Sequence, residues 1–289
     1  MYSFIQGNAG SWPVHTLCAV LQVSRSAYYG WLSGSRGVNK REEEAERLVL
    51  ETFWEHRRRY GVRRLVAELR EKGVEIGACK VRLVLRKHGL KAIQPRSFVP
   101  RTTDSRHPYP ISPNLLLESP FPTSPNQVWV GDITYIPLAG GGFLYLAVWM
   151  DLYSRRIVGW RLDRHMQEEL VVAALRQALG TRTVAQGVIM HSDRGGQYAG
   201  KSFRRLLDRR RVRQSMSRAG NAYDNAFMES CFSRFKAELL EGGAFENRED
   251  AQSEIFEYIE MYYNTRRRHS ALAYQSPMNY EKNHYIYNR

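Results

Sequence analysis

Three carboxylates at separated points of the chain have the residue type and the setting for metal-dependent chemistry. Asp132 lies in the apolar run Val128–Ile136, Asp193 follows a short apolar segment, and Glu229 lies in a segment with helical periodicity. The spacing is 61 positions from Asp132 to Asp193 and 36 positions from Asp193 to Glu229. Carboxylate oxygens are ligands that Mg²⁺ prefers, and carboxylates held close together repel one another until a cation binds.

A site of this kind suits phosphoryl transfer. Phosphodiester cleavage and joining pass through a phosphorus with extra negative charge, and two Mg²⁺ ions about 3.5–4 Å apart can activate the attacking oxygen and stabilise the leaving one. We therefore predict that Asp132, Asp193 and Glu229 are catalytic residues and also the ligands of two Mg²⁺ ions, for which Mn²⁺ can substitute.

The composition indicates which kind of partner the chain binds. The formal net charge is +14 and hydrophobic residues make up 43% of the 289 residues, which favours a folded protein that binds a polyanion. No apolar run approaches the roughly 18–20 residues that span a bilayer, and the N-terminus does not resemble a signal peptide. We expect a cytoplasmic, nucleoid-associated protein with no membrane partner. Cys18, Cys79 and Cys231 are too scattered for a zinc site and are predicted to pack in the core.

Two helical modules are predicted before the carboxylates. In residues 1–38 an apolar stripe begins at Val14, and Ser24 is a suitable N-cap for a second helix that starts at Arg25. This pattern predicts a helix-turn-helix, and an ordinary αα-hairpin is an equal alternative. Residues 39–98 repeat the pattern with basic helices, in which Arg63 and Arg64 precede the stripe at Leu65. Arg25, Arg63 and Arg64 are predicted to contact DNA.

The remaining chain is predicted to hold a linker and an α/β core. Residues 99–125 are rich in proline and are predicted to form an extended linker. Residues 126–289 predict three strands, then helix, strand, helix, strand and further helices. This order is RNase H-like: a five-stranded mixed sheet with helices on its faces, followed by a C-terminal helical extension.

Several polar residues near the three carboxylates are candidates for DNA contact. On the Glu229 helix, Asn225 and Lys236 share the face of Glu229. Lys236 is predicted to bind a phosphate, with a solvated lysine as the alternative, and Asn225 to position Glu229 or touch DNA, with a contact at the helix N-terminus as the alternative. Arg194, in a glycine-rich turn, is predicted to lie near the DNA backbone.

Other polar residues have a structural alternative that is at least as good. His191 could orient the substrate or be a hydrogen-bonded histidine at a strand end. Asp151 is expected to cap a turn rather than bind metal, and Asp224 to lie near the start of the Glu229 helix. The arginines of Lys201–Arg211 and those at positions 266–268 are predicted to contact phosphates.

Four ordered blocks of the sequence resemble a known family. They are Trp129-x-x-Asp-Ile-Thr-Tyr, His191-Ser-Asp-Arg-Gly-x-Gln-Tyr, Asp224-Asn-x-x-x-Glu-Ser-x-Phe-x-x-x-Lys and Tyr262-Tyr-Asn-x-Arg-Arg-Arg-His. These blocks resemble the DDE transposases of insertion sequences, in particular the second-frame product of the IS-three family, which are relatives of retroviral integrases.

The resemblance implies an integrase-type core that cuts DNA without a covalent enzyme intermediate: water attacks at the element's end, and the freed 3′-OH then attacks target DNA. It also implies that the partners are double-stranded DNA, further copies of the chain on that DNA, and a separate or fused first-frame subunit. A catalytically silent DNA-binding regulator and an RNase H-type nuclease are the alternative functions.

Overall fold

The computed structural model describes residues 1–33, 40–95, 108–117, 120–218, 226–241 and 243–287. The chain divides into two compact units, Met1–Ala92 and Ile93–Arg289. Within the described ranges, no helix is both long enough and apolar enough to cross a membrane.

The helical unit begins with a small three-helix cluster: α1 (Tyr2–Asn8), α2 (Val14–Val20) and α3 (Arg25–Leu32). Its core is formed by Ile5, Cys18 and Tyr28, one from each helix. Ser24 caps α3 as predicted, since its Oγ accepts a hydrogen bond from the backbone N–H of Ala27 at 3.1 Å. The prediction that Cys18 packs in the core is confirmed.

A second cluster follows, made of α4 (Lys40–Glu55), α5 (Val62–Glu71) and α6 (Ala78–Lys87). Helix α4 is an addition to the predicted pair of basic helices. The turn between α5 and α6 contains Gly73 at φ +78°, a backbone angle that glycine adopts without strain. The prediction of core packing is wrong for Cys79, which is exposed because α6 turns Val81 and Val84 inward instead.

Acidic residues of α4 and lysines beyond it form surface ion pairs. Lys80 Nζ lies 2.8 Å from Glu42 and Lys87 Nζ lies 2.7 Å from Glu46. Lys72, at the end of α5, pairs with Glu55 at 2.6 Å.

The second unit is built on a five-stranded sheet in the order β3-β2-β1-β4-β5. The strands are β1 (Val128–Pro137), β2 (Phe143–Asp151), β3 (Ile157–Asp163), β4 (Ile189–Ser192) and β5 (Arg213–Met216). The first three strands pair antiparallel, whereas β4 runs parallel to both β1 and β5. The predicted RNase H-like arrangement, a mixed α/β sheet that follows an N-terminal helical region, is confirmed.

Helices cover both faces of the sheet, because successive side chains of a strand point to opposite faces. Trp149 stacks on Phe203 with ring centroids 5.9 Å apart, whereas the next residue, Met150, receives a contact from the Tyr263 hydroxyl at 3.8 Å. The helices are α7 (Glu168–Thr181), α8 (Gly196–Ala199), α9 (Lys201–Arg210), α10 (Ala226–Leu240), α11 (Arg248–Phe256) and α12 (Pro277–Tyr287).

The C-terminal part contains a π-helix and a 3₁₀-helix in addition to the predicted further α-helices. After α11 the chain continues as a π-helix, Glu257–Tyr263, with Tyr258, Ile259, Tyr262 and Tyr263 buried. Asn264 then fixes this segment to the sheet: its side-chain amide accepts from Ile157 N and donates to Ile157 O, both at 2.9 Å. A short 3₁₀-helix, Ser270–Leu272, precedes α12.

The described part of the proline-rich segment is fixed to the sheet edge. Residues 108–117 contain no helix or strand, and residues 115–117 form a turn. The backbone N–H of Leu115 donates to Ser215 Oγ at 2.9 Å, and Pro113 O accepts from Met216 N at 3.3 Å. This stretch therefore runs beside β5.

Candidate active site on β1 and β4

Asp132 and Asp193 are brought together by parallel pairing of β1 with β4. The last paired residues are Gly131 and Ser192, so each aspartate is the next residue after the same rung of the ladder. Both aspartates are half-buried. The structure thus places Asp132 on β1 and Asp193 directly after β4, at the point where the parallel pairing ends.

The turn after β4 is arranged around the Asp193 carboxylate. Asp193 Oδ1 accepts a hydrogen bond from Gly195 N at 3.0 Å. A Cβ atom at Gly195 would lie 2.9 Å from Gln197 Oε1 and 3.1 Å from Asp193 Oδ1, so a side chain does not fit there without a shift. A side chain at position 195 would therefore displace the ends of the Gln197 and Asp193 side chains.

A buried phenol lies close to both aspartates. Tyr198 is 1% exposed, and its ring packs edge-on against Trp149 with centroids 5.8 Å apart. Burial, together with the negative charges of Asp132 and Asp193, raises the pKa of Tyr198 well above its ordinary value. Its hydroxyl has no hydrogen-bond partner among the residues that the structure describes. Tyr198 closes the sequence block that contains Asp193, so its place in that block was a signal for it.

Helix α10 carries Glu229 and Lys236 on one face, seven residues apart. The Lys236 ammonium lies 3.9 Å from the centroid of the Tyr135 ring on β1. Burial lowers the pKa of Lys236, and the negative charge of Asp132 acts in the opposite direction. The predicted phosphate-binding lysine is therefore half-buried and near the first aspartate.

Glu229 is exposed in the first turn of α10. Over the described ranges, no three His, Cys, Asp or Glu side chains lie close enough together to hold one metal ion. The described residues therefore contain the neighbouring aspartates but no cluster of three carboxylates. Asn225 and Asp224 lie outside the described residues, which include α10 only from Ala226 onward.

The rival polar residues have structural partners. Asp151 caps the turn after β2 as predicted, since its Oδ1 accepts from the N–H groups of Tyr153 and Ser154 at 3.0 Å. His191 is fully buried, and its Nδ1 lies 2.8 Å from Ser215 Oγ, as expected for a hydrogen-bonded histidine on a strand.

The predicted DNA-contacting arginines differ in their surroundings. Arg25 and Arg63 are exposed on α3 and α5. Arg64 is half-buried, with its guanidinium 5.8 Å from the centroid of the Tyr60 ring. Arg194 Nε donates to Ser217 O at 2.7 Å and so joins the turn after β4 to the end of β5.

One basic residue was assigned wrongly from the sequence. Arg267 was grouped with phosphate-contacting arginines, yet it is 2% exposed and forms a bidentate pair with Glu238 on α10. A run of three arginines indicates solvent or DNA only when all three point outward, and the middle one here points into the core. No local signal in the sequence marks the Glu238–Arg267 pair.

The side chains at the end of the β1–β4 pairing are suited to bind a hydrated divalent cation. Asp132 and Asp193 supply the hard oxygen donors that Mg²⁺ and Mn²⁺ take. Mg²⁺ keeps several water molecules, and a buried hydroxyl without a partner is suited to hydrogen bonding with such a water. Tyr198 provides that hydroxyl.

Comparison with known proteins agrees with this architecture. Residues 122–222 and 210–277 match two families that are each described as an integrase core domain, and residues 40–98 match an HTH-like domain. The chain is 38% identical over 97% of its length to Transposase InsF for insertion sequence IS3A of Escherichia coli (strain K12), covering 98% of that protein. It is 42% identical to an uncharacterized 31 kDa protein of insertion element IS600 from Shigella sonnei, covering 90% of this chain and 96% of that protein.

Solved structures are more distant. A simian T-cell lymphotropic virus intasome chain, in complex with PP2A regulatory subunit B56 gamma, aligns with a TM-score of 0.42 and 14% identity, over 81% of this chain and 73% of that chain. The similarity in sequence to the E. coli transposase extends over both units. The chain is therefore a member of the IS3 family of insertion-sequence transposases.

Proposed function

We propose that this chain is a Mg²⁺-dependent DNA transposase that cleaves the ends of an insertion sequence and joins them to target DNA. The observation that carries the proposal is the position of Asp132 and Asp193 directly after the last paired residues of the parallel strands β1 and β4, in a chain 38% identical to a transposase over 97% of its length. Its place of action would be the cytoplasm, at the nucleoid.

Each residue near the paired strands has a role in this proposal. Asp132 and Asp193 hold the cations, and Glu229 supplies the third carboxylate from α10. Bound cations would activate the attacking oxygen and stabilise the leaving one. Lys236 binds a phosphate oxygen of the DNA beside Asp132, and Tyr198 donates a hydrogen bond that orients a water or a carboxylate oxygen.

The DNA-binding role falls to both units. The exposed arginines Arg25 and Arg63 are placed on helices of the N-terminal helical unit and would contact the phosphate backbone or base edges. Asn225 and Arg194 would contact DNA near the carboxylates. Synapsis of two element ends requires further copies of the chain, and the first-frame product is the further partner that we propose.

A strand-transfer assay tests the proposal. Purified chain, with and without a first-frame partner, is incubated with labelled element-end DNA and Mg²⁺ or Mn²⁺. We expect a joined product that depends on the divalent cation and is lost in Asp193→Asn. The matched control is Asp208→Asn, which changes an exposed aspartate on α9 and should leave joining intact.

A DNA-binding regulator is the second candidate, and the observation in its favour is that the described residues contain no cluster of three carboxylates. Tight binding to element ends without cleavage, with either cation and with or without the partner, would replace the transposase proposal by the regulator. Cleavage of RNA–DNA hybrids in preference to element ends would instead establish a nuclease.

A further inference from the structure

The Glu238–Arg267 pair ties α10 to the C-terminal segment inside the protein. Arg267 Nε donates to Glu238 Oε2 at 2.8 Å, and a terminal nitrogen of the same guanidinium donates to Oε1 at 2.6 Å. Both side chains are nearly inaccessible, at 3% and 4% exposure. Two parallel N–H···O bonds fix both the distance and the angle between the partners.

Aromatic residues of the same segment complete the contact. The Tyr258 hydroxyl donates to Glu238 Oε2 at 2.8 Å, and the Tyr258 ring packs edge-on against Phe235 of α10. The Arg267 guanidinium lies 5.6 Å from the centroid of the Tyr263 ring. The carboxylate of Glu238 thus has donors from both the π-helix and the segment that follows it.

A second tether holds the beginning of α10. The Arg155 guanidinium lies 4.3 Å from the centroid of Phe227, two residues before Glu229. Near the next turn, Cys231 Sγ lies 3.7 Å from the Tyr263 hydroxyl, which donates to Arg155 O at 3.1 Å. Tyr263 therefore contacts parts of both tethers.

The contacts that hold α10 also determine where its residues lie relative to Asp132. Residues of an α-helix advance about 1.5 Å and turn about 100° each, so a shift of α10 by one residue would carry Lys236 away from Asp132. A bidentate pair two residues beyond Lys236 opposes both rotation and sliding. A buried ion pair adds little stability over an apolar pair of similar volume. The main effect of the Glu238–Arg267 pair is therefore to fix the position of α10.

We propose that Glu238 and Arg267 are positioning residues, which set the rotation and depth of α10 and thereby the places of Glu229 and Lys236. This inference rests on the proposed transposase function. It assigns the buried arginine of the C-terminal block to the arrangement of the site rather than to DNA contact.

The test replaces the charged pair by an apolar one of similar size, Glu238→Leu with Arg267→Met. We expect a thermal unfolding midpoint that falls only by the loss of the Tyr258 hydrogen bond to Glu238. We also expect faster amide hydrogen exchange in α10 and a higher Mg²⁺ concentration for half-maximal strand transfer. The maximal rate should fall at least about tenfold, because small misplacements of catalytic groups can cost about a hundredfold. Arg248→Met with Glu249→Leu makes the same replacements at the start of α11 and should change none of these.

A conservative variant covers the case in which the double variant does not fold. Arg267→Lys keeps the charge and removes the bidentate geometry. A folded Arg267→Lys protein with slower transfer and a raised Mg²⁺ requirement supports the inference. Wild-type transfer and wild-type exchange in either folded variant would overturn it.

Failure of the underlying function gives a different result. If the wild-type chain joins no DNA under any condition, the transposase proposal falls, and amide exchange in α10 still decides whether the pair holds the helix. Unchanged exchange in α10 of the double variant overturns the positioning role whether or not the wild type joins DNA.

Discussion

Ion pairs of the helical unit (Met1–Ala92) and of the sheet unit (Ile93–Arg289) differ in the cation and in its surroundings. Lys72–Glu55 and Lys80–Glu42 lie at the surface, and the four side chains are 35% to 60% exposed. Arg267–Glu238 and Arg182–Glu281 are buried, with every side chain below 10% exposure. Exposed pairs contribute little to stability, whereas a broken buried pair leaves an uncompensated charge.

The difference shows how to interpret the charge of +14. An excess of cations suggests a polyanionic partner, but it does not say which cations face that partner. In the sheet unit, Arg267 is buried against Glu238 of α10, and Arg182 is buried against Glu281 of α12. In the helical unit, the lysines Lys72, Lys80 and Lys87 form ion pairs with glutamates of α4. Mutations of buried and of exposed charged residues test this difference.

The largest effect is expected from Glu281→Ala. Glu281 on α12 accepts hydrogen bonds from Arg182, Arg156 and Ser154, and the change would leave two arginines without this acceptor. We expect the free energy of unfolding of the sheet unit to fall by about 3–5 kcal/mol. Urea denaturation measures it. The control is Glu169→Ala, which changes an exposed residue in the first turn of α7 and should lower the free energy of unfolding by less than about 1 kcal/mol. Equal losses in the two variants would contradict the difference between buried and exposed charges.

The buried pair should also show in the pH dependence of stability. Burial alone raises the pKa of Glu281, but the hydrogen bonds and charge of Arg182, with help from Arg156 and Ser154, bring it below the ordinary value of 4.5. A carboxylate whose pKa is depressed by folding stabilises the fold above its unfolded-state pKa and loses that contribution as the pH falls through its folded-state pKa.

The measurement is the difference in unfolding free energy between the wild type and Glu281→Gln as a function of pH. The difference should be full above about pH 5 and shrink as the pH falls below 4.5. Asp151 acts in the opposite sense, because burial raises its pKa. Asp151 is kept in both proteins, so most of its contribution is removed from the difference. A difference that does not vary with pH would contradict the role of Glu281.

A smaller effect is expected from two buried tyrosine hydroxyls on opposite faces of the sheet, one with and one without a hydrogen-bond partner among the described residues. Tyr263→Phe removes a hydrogen bond to Arg155 O and should lower the free energy of unfolding by about 1 kcal/mol. Tyr198→Phe removes a hydroxyl that has no partner in the described part of the chain, and should not destabilise the metal-free protein. Added Mg²⁺ should stabilise the Tyr198→Phe protein less than it stabilises the wild type. Thermal unfolding with and without Mg²⁺ tests both statements, and equal Mg²⁺ responses would exclude Tyr198 from the site.

The smallest effect is expected at the surface of the helical unit. Lys72→Ala breaks the ion pair with Glu55, and we expect a change of about 0.5 kcal/mol or less in the stability of this unit. High salt should abolish most of that change, since exposed pairs are screened. A loss comparable to that of Glu281→Ala would mean that the helical unit depends on its surface charges.

The sheet was predictable because its signal is local. Apolar runs in the sequence match the first four strands, and the glycines at positions 140–142 mark the turn between the first two. Strand β5 has the sequence Arg-Gln-Ser-Met and lacks such a run. The places of Asp132 within the first strand and of Asp193 directly after the fourth follow from these runs. Strand type and order were therefore within reach of the sequence alone.

Tertiary pairs had no such local signal. Glu238 and Arg267 are 29 residues apart and meet only because α10 and the π-helix pack on the same face of the sheet. Arg267 has basic neighbours in sequence, so residue type alone suggested the surface. A C-terminal helical extension was predicted, but the bounds of α12 were not, since Glu281 holds this helix through ion pairs to Arg156 and Arg182 rather than by a clear apolar stripe.

The pairing of β1 with β4 has a consequence for the order of events during synthesis and folding. Strands β1, β2 and β3 pair with their neighbours in sequence and can do so soon after they leave the ribosome, whereas the two aspartates are 61 positions apart. Contacts between distant parts of a chain form later than local ones, since the intervening chain must first be ordered. Asp132 and Asp193 therefore meet late, and an incomplete chain that ends before β4 has no paired aspartates with which to bind a cation.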